Sequence, residues 1–230
     1  MACYSESNLA TIKVDLSKKS NNRKSKTYNP GGNITKITVH HMAGVMSAKS
    51  CAEYHRDNGK KQSANYYIGV SGEIVEGVPE SRRAWTSGSA TNDYQAITIE
   101  VSNSEPSDPW PVSDKSWEAL VQLCTDICRR NNINLLNYTG DASGNLTIHK
   151  MFQATICPGP WLEKRMGKLA QQVNHNLSIK EPDPEYYLVK RGDTLTKICL
   201  MYDTTIAQLV RLNSIKNVNR IYVGQKLRVR

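Results

Sequence analysis

Residues 37–44 read Ile-Thr-Val-His-His-Met-Ala-Gly, a β-branched run that ends in two adjacent histidines. β-Branched residues favour strands, and we predict a short strand from Ile34 to His40. Neighbouring side chains of a strand point to opposite faces, so only one of His40 and His41 can face a common site. The stretch therefore predicts a strand that delivers one imidazole at its end.

A second histidine follows a similar run, Leu-Thr-Ile at 146–148. His149 precedes Cys157 by eight residues, and a Pro-Gly-Pro turn follows the cysteine. Two neutral imidazoles and one thiolate suit tetrahedral zinc, and three protein ligands leave the fourth position for the water that a catalytic site requires. We therefore predict that His40, His149 and Cys157 bind Zn2+. The alternatives are simple burial of these residues and the use of His41 in place of His40.

Strands and helices alternate between these motifs. A hairpin is predicted from strands at 63–70 and 73–75, and a further strand at 96–101 carries Glu100. Capping residues and helical spacing predict three helices, one at 47–57, one that begins at Ser113 or Asp114, and one at 162–177. Residues 1–33 are expected to form an irregular lead-in.

Composition limits the classes of protein to consider. Hydrophobic residues make up 39% of the 230 residues, which is enough for a packed core. No run of about 18 apolar residues occurs, so no membrane span is expected. The amino terminus lacks a basic cap followed by an apolar stretch, so we expect no signal peptide. Most of the six irregularly spaced cysteines are interpreted as small buried hydrophobes rather than a disulfide framework.

The quoted motifs resemble those of the zinc amidase family that includes phage lysozyme-type amidases and animal peptidoglycan recognition proteins. Residues 37–44 resemble its first zinc motif, and residues 149–160 resemble its second, in which the His and the Cys are both ligands. Residues 63–74 are similar to its central hairpin, and 96–101 resemble the strand that carries a catalytic carboxylate in many members. The resemblance covers residues 34–177. It implies that 1–177 form an α/β catalytic domain with a central mixed β-sheet flanked by helices.

The resemblance also implies an activity, that of an N-acetylmuramoyl-L-alanine amidase, with His40, His149 and Cys157 as zinc ligands. Glu100 becomes the general base that deprotonates water and passes the proton to the leaving amine. The other interpretation of Glu100 is an exposed carboxylate at a strand end. Thr155 stands where some phage relatives have a catalytic Lys, so that role does not transfer. Its hydroxyl either donates a hydrogen bond to the substrate carbonyl or serves only in packing.

Substrate-binding residues are expected in the hairpin and in a groove loop. The resemblance places Asn65 and Tyr66 in the hairpin and Trp85 in the loop, although Trp85 also suits a plain core position. Some relatives use a hairpin Tyr where this chain has Ala64, so that role does not transfer either. We interpret His55 and His175 as surface or packing residues, because they lie in helical segments away from the motifs.

The last 45 residues form a separate pattern. From Tyr186 to Arg230 the chain carries nine basic and two acidic residues, whereas the rest is nearly balanced, so this tail favours an anionic partner. Its strand-helix-helix-strand pattern resembles the lysin motif (LysM) domain, which binds glycans that contain N-acetylglucosamine. The implied glycan-binding residues lie in two loops: Gly192, Asp193, Thr194 and Leu195, and Asn219, Arg220, Ile221 and Tyr222. A turn followed by a helix cap is the structural interpretation of Gly192 and Asp193.

The expected protein is a zinc-dependent peptidoglycan hydrolase whose small βααβ domain, residues 186–230, follows a Pro-containing linker at 178–185. A non-catalytic peptidoglycan-binding protein on the same fold is the alternative. Nucleic-acid binding has no supporting motif. We expect a monomer that is made in the cytoplasm of a bacterial host and acts on the cell wall after release, as a phage endolysin or an autolysin does.

Overall fold

The computed structural model describes residues 4–178 and 185–229. The chain divides into two compact units, Met1–Ser178 and Ile179–Arg230. The first predicted linker residue, Ser178, is still helical, and residues 179–184 of the linker lie outside the described residues. No helix of the described ranges is both long and apolar enough to span a membrane.

A mixed β-sheet forms the centre of the first unit. The strands in chain order are β1 (Ile12–Lys13), β2 (Ser20–Asn22), β3 (Lys36–His41), β4 (Tyr66–Ile68), β5 (Ile74–Glu76), β6 (Arg82–Ala84), β7 (Ala96–Val101) and β8 (Leu146–Ile148). Six of them form one sheet in the order β1-β5-β4-β7-β3-β8, and β2 pairs separately with β6. The predicted hairpin β4–β5 is antiparallel, and every other neighbouring pair of the six-stranded sheet is parallel.

Helices flank this sheet as expected. They are α1 (Ala48–Asp57), α2 (Ala90–Asp93), α3 (Asp114–Arg130), α4 (Pro160–Glu163) and α5 (Met166–Ser178). The hydroxyls of Ser47 and Ser113 accept backbone N–H groups of the first turns of α1 and α3, which confirms two predicted helix starts. The single helix predicted at 162–177 is wrong. Arg165 N–H donates to the carbonyl of Leu162, three residues back, and this tighter turn separates α4 from α5.

The two faces of the sheet differ in polarity. One face carries β-branched side chains that pack with the apolar faces of α3 and α5, where Cys124 and Cys128 are buried as predicted. The other face carries a hydroxyl layer, in which Thr38 and Thr147 are bonded at 2.9 Å and Asn92 Nδ2 donates to Thr38 at 2.8 Å. Alternation along β3 therefore places a polar layer directly before the position of His40.

The lead-in is not irregular, and that prediction is wrong. Strand β1 extends the sheet by pairing in parallel with β5, and β2 pairs with β6. Arg23 follows β2 and is fully buried, with its guanidinium donating to the carbonyl oxygens of Glu80 at 2.5 Å and of Arg82 and Ala96 at 2.9 Å each. Strands of two or three residues are too short to show a period in the sequence, so only the tertiary contacts reveal them.

The second unit has the predicted strand-helix-helix-strand order, with β9 (Tyr186–Leu188), α6 (Leu195–Tyr202), α7 (Ile206–Asn213) and β10 (Lys226–Arg228). Strands β9 and β10 are antiparallel, and a small core lies beneath them, formed by Val189, Leu195, Ile198, Cys199, Leu209, Leu227 and Val229. Thr205 caps α7, with its hydroxyl accepting from the Gln208 N–H. Thr194, not Asp193, caps α6, because the Asp193 carboxylate accepts from the Tyr187 hydroxyl and the Lys190 N–H instead.

Candidate metal centre

Three side chains that can bind a metal meet where strands β3 and β8 end. His40 lies near the end of β3, and His149 directly follows β8, its parallel neighbour. The ligand atoms of His40, His149 and Cys157 all lie within 4.8 Å of one another. His41 is not a member of this cluster, and its ring lies edge-on to Trp110 with the ring centroids 5.3 Å apart. The structure therefore brings together the predicted triad and separates the competing histidine from it.

The geometry of the triad fits a zinc ion. His40 Nδ1 lies 3.7 Å from Cys157 Sγ, and a ring nitrogen and a thiolate sulfur that share a tetrahedral zinc lie roughly 3.6 Å apart. His149 Nε2 is 3.1 Å from the Gln153 side-chain oxygen. Because that oxygen can only accept, Nε2 carries the proton and Nδ1 keeps a lone pair for the metal.

The electrostatics of the buried ligands also fit a cation. Burial, and then the neighbouring His149, lower the pKa of His40 well below its usual range, so its ring is neutral, the form that binds metals. Burial and the nearby Glu100 raise the pKa of the Cys157 thiol, while the backbone N–H of His41 opposes them. A divalent cation reverses this balance, because it stabilises the thiolate directly.

Glu100 lies on β7, in register with His40 on β3, so the two side chains share one face of the sheet. The residue is 8% exposed, and burial raises the pKa of its carboxyl to about 8. The alternative of an exposed strand-end carboxylate is therefore wrong. A carboxyl whose pKa lies near neutrality is suited to taking up and returning a proton.

A cavity of about 330 Å³ opens above these groups. The triad and Glu100 line it together with other side chains, which include His41, His55, Gln62, Ser63, Trp85, Thr86, Thr155 and Ile156. Trp85 lies on this wall, where its indole N–H donates to Asn21 at 2.6 Å. The Thr155 hydroxyl accepts from the Cys157 N–H at 3.2 Å, so it supports the loop of the cysteine as well as facing the cavity.

Asn65 and Tyr66 are not part of the cavity, which corrects their expected contact with substrate. Both are fully buried. The Asn65 amide bonds across the fold, with its nitrogen donating to the Val78 carbonyl at 3.0 Å and its oxygen accepting from Thr98 N–H at 3.1 Å. The Tyr66 hydroxyl donates to Glu80 at 2.6 Å, on the side of the sheet that packs on α3. Their polar groups therefore serve the fold.

His55 was misplaced by the sequence interpretation, since it lines the cavity. It is half-buried on α1, and its Nδ1 lies 2.9 Å from the Tyr67 hydroxyl. A helical signal for this position exists, because His55 is four residues after buried Cys51 and three after buried Ala52. His175, in contrast, is exposed on α5 as predicted.

The LysM-like unit has a groove of its own, with a volume of about 370 Å³. Of the eight predicted glycan-binding residues, the structure places five along it: Asp193, Thr194, Leu195, Asn219 and Ile221. Thr196, Ile206 and Val218 also line it and were not predicted. Gly192, Arg220 and Tyr222 lie outside its lining, with the Arg220 guanidinium over the Tyr222 ring at 5.5 Å.

Sequence comparisons agree with this division. Residues 30–160 match the family described as N-acetylmuramoyl-L-alanine amidase, and residues 187–230 match the LysM domain. N-acetylmuramoyl-L-alanine amidase XlyB of Bacillus subtilis (strain 168) is 25% identical over 206 residues, which are 84% of this chain and 61% of XlyB. XlyA of the same strain is 26% identical over 83% of this chain and 59% of its own length. The chain thus spans about three fifths of these relatives.

Solved structures share the fold of the first unit. The structure of PlyL has a TM-score of 0.53 at 19% identity and covers 70% of this chain and 95% of its own. The catalytic domain of XlyA has a TM-score of 0.51 at 20% identity, with 70% of this chain and 97% of that domain covered. The mixed sheet with flanking helices is therefore the architecture of a known group of proteins.

Proposed function

Because the chain belongs to the N-acetylmuramoyl-L-alanine amidase family, we propose that it hydrolyses the amide bond between N-acetylmuramic acid and L-alanine in peptidoglycan. One observation supports this proposal above the others. Two imidazoles, a thiol and a buried carboxyl converge on the floor of a single cavity. That set provides the metal site and the proton acceptor that hydrolysis of an unactivated amide needs.

His40, His149 and Cys157 would hold zinc, which supplies the positive charge that lowers the pKa of water and polarises the scissile carbonyl. Glu100 takes the proton of the attacking water on its carboxylate and returns it to the nitrogen of the leaving L-alanine. Burial favours the uptake of that proton, because it disfavours the charged form of the Glu100 carboxylate. The Trp85 indole offers a flat apolar wall to the substrate, and Thr155 holds the loop of Cys157.

The LysM domain is proposed to hold the enzyme on glycan that contains N-acetylglucosamine, through the groove between its two loops. The wall polymer does not diffuse, so an anchored enzyme stays at high local concentration near bonds it can cut. The excess of basic residues in this part of the chain adds attraction to anionic wall polymers. We propose that the protein acts as a monomer. We also propose that it acts on a bacterial cell wall after its release from the cytoplasm.

Digestion of purified cell walls by the zinc-loaded protein tests the proposal. Mass spectrometry of the products should find free stem peptides that begin with L-alanine and glycan strands whose lactyl groups carry no peptide. New glycan reducing ends, or cuts inside the stem peptide, would assign a different bond. Wall binding without any released product would favour the non-catalytic alternative. Metal analysis of the same preparation should find one zinc per chain.

A further inference from the structure

A row of aromatic and polar side chains continues from the wall of the catalytic cavity onto one face of the β2–β6 ribbon. We call it the aromatic row, and its members are Trp85, Asn21, Arg83, Tyr94 and Tyr28. Of these, Trp85 alone lines the cavity. The other four have no role in the mechanism proposed above.

The register of the ribbon places the first members side by side. Asn21 of β2 is paired with Arg83 of β6, so their side chains leave the ribbon on the same face. The Asn21 side-chain oxygen accepts from the Trp85 indole N–H at 2.6 Å and from the Arg83 guanidinium at 3.2 Å. One amide oxygen therefore fixes the positions of both the indole and the guanidinium.

The row continues through Arg83 to two stacked tyrosines. The guanidinium carbon of Arg83 lies 5.0 Å from the centre of the Tyr94 ring. Tyr28 is stacked on Tyr94, with ring centroids 5.3 Å apart and an interplanar angle of 13°. Tyr94 covers one face of the Tyr28 ring, and yet Tyr28 is 42% exposed. The row thus ends in an aromatic ring that solvent can reach.

The turn that carries Tyr28 is held in place by the rest of the fold. Backbone hydrogen bonds of 3.0 Å run in both directions between Ser25 and Asn29. The buried Asn29 amide donates to the Tyr94 carbonyl at 2.7 Å and to the Asn33 carbonyl at 2.9 Å. Tyr28 is therefore in position before a ligand arrives, and binding does not have to order a loop.

The row carries little net charge. Arg83 is its one charged member, and its guanidinium lies 3.6 Å from the carboxylate of the fully buried Asp93. Opposite charges at this distance largely offset each other. The row therefore suits a neutral ligand with apolar faces and hydrogen-bonding edges better than it suits a polyanion.

A sugar polymer has these properties. The faces of a pyranose ring carry C–H bonds, which pack on the electron-rich face of an aromatic ring, while its hydroxyls bond to amide and guanidinium groups. The bond to be cut joins a sugar of a long glycan to the stem peptide. A cavity of about 330 Å³ holds a ligand of small-molecule size, so the neighbouring sugars of the strand must lie on the surface beside it.

We propose that the aromatic row binds the glycan strand of peptidoglycan outside the cavity, with sugar rings packed on Trp85 and Tyr28. This surface belongs to the first unit and is separate from the LysM groove of the second. Asn21 and Tyr28 precede residue 30, where the match to the amidase family begins. The inference rests on the proposed function, since it extends the binding of that same substrate.

NMR of the tyrosine rings in the full-length protein tests binding without any hydrolysis. The probe is chitohexaose, a neutral oligomer of N-acetylglucosamine. The ring signals of Tyr28, assigned by their loss in Tyr28→Ala, should shift as the sugar is added, whereas those of Tyr54, an exposed tyrosine of the same unit, should stay in place. Tyr28 signals that do not move after the LysM tyrosines have stopped shifting would overturn the inference.

Hydrolysis of substrates of two lengths separates the row from the cavity. Tyr28→Ala should raise KM about fivefold more on soluble glycan chains that carry stem peptides than on a single disaccharide-peptide, which is too short to reach Tyr28. Tyr28→Phe keeps the ring and should restore the KM on long chains. Tyr54→Ala is the matched control and should change neither KM.

Each other outcome has a distinct meaning. Equal KM changes on both substrates, or a lower melting temperature without a change in KM, would assign Tyr28 to the fold alone. Tyr28 shifts caused only by free stem peptide, or only by an anionic wall polymer at low salt, would also overturn the glycan assignment. If the protein cuts no wall, the proposed function fails, while the chitohexaose titration still judges the aromatic row.

Discussion

The two clefts of this chain have similar volumes, about 330 and 370 Å³, but opposite surroundings. In the metal centre His40, Glu100 and Cys157 are 1%, 8% and 8% exposed, and burial shifts the pKa of each. In the LysM groove most of the lining side chains are exposed, and the Asp193 carboxylate is satisfied by three donors that lower its pKa. The proposed amide hydrolysis thus relies on buried ionisable groups, whereas the proposed glycan binding relies on accessible side chains.

Removing a ligand should break the metal centre completely. His149→Ala leaves two of three protein ligands, so zinc is lost and wall hydrolysis falls to background. Metal analysis of the purified variant checks this, with His175→Ala as the control on an exposed helix position. A full equivalent of zinc in His149→Ala, together with loss of zinc in His41→Ala, would assign the ligands differently.

Neutralising the buried carboxyl should separate metal binding from proton transfer. Glu100→Gln keeps the size of the side chain, so zinc content is unchanged, but hydrolysis slows by about 10² to 10⁴. Turnover of a soluble muropeptide under saturating conditions is the measurement. Near-normal turnover would mean that another group takes the proton.

Removing the LysM unit should leave the catalytic unit working. Each unit has its own apolar core, so deletion of residues 181–230 leaves a folded, zinc-loaded protein that cuts soluble muropeptides normally. On intact walls at low enzyme concentration it should be about tenfold slower, because the anchor is gone. Loss of muropeptide cleavage in the folded, truncated protein would show that the units do not act separately.

The smallest expected effect concerns stability and its dependence on pH. Burial raises the pKa of Glu100 from 4.5 to about 8, so the folded metal-free protein binds this proton more tightly than the unfolded chain does. That stabilisation is fully present below the unfolded pKa of 4.5 and is lost as the pH rises through about 8.

Glu100→Gln stays neutral throughout this range. With zinc removed by a chelator, the catalytic unit of Glu100→Gln should therefore melt higher than the wild type at pH 9 by roughly several degrees, and the difference should shrink towards pH 4. Calorimetry at the two pH values measures it. A difference that does not change with pH would show that folding does not raise the pKa of this carboxyl.

The sequence predicted those strands and helices whose residue pattern is continuous over several neighbouring positions. β-Branched runs revealed β3 and β7, and serine caps revealed the starts of α1 and α3, because these patterns act within a few residues. The strands of the lead-in depend on distant partner strands, and the break between α4 and α5 depends on one tight turn at Arg165. No local sequence pattern predicts either feature.

The candidate site also has a part that local sequence patterns predict and a part that depends on contacts between distant residues. Spacing alone left His40 and His41 open as ligands, and the family motif predicted the arrangement that the structure shows. Asn65 and Tyr66 were expected near substrate because they lie in a motif, but both side chains are fully buried and bonded within the fold. His55 was missed because its partner, Tyr67, comes from a different element.

The buried guanidinium of Arg23 determines at which residue two chains can be joined when the catalytic units of related enzymes are exchanged. The match to the amidase family starts at residue 30, seven residues after this arginine. A chimera joined at residue 30 would discard the donors that satisfy the carbonyl oxygens of Glu80, Arg82 and Ala96. Each orphaned carbonyl costs on the order of 1–3 kcal/mol, a large share of the stability of a domain. Recombination of such enzymes should therefore place the junction ahead of β1, where the chain first joins the sheet.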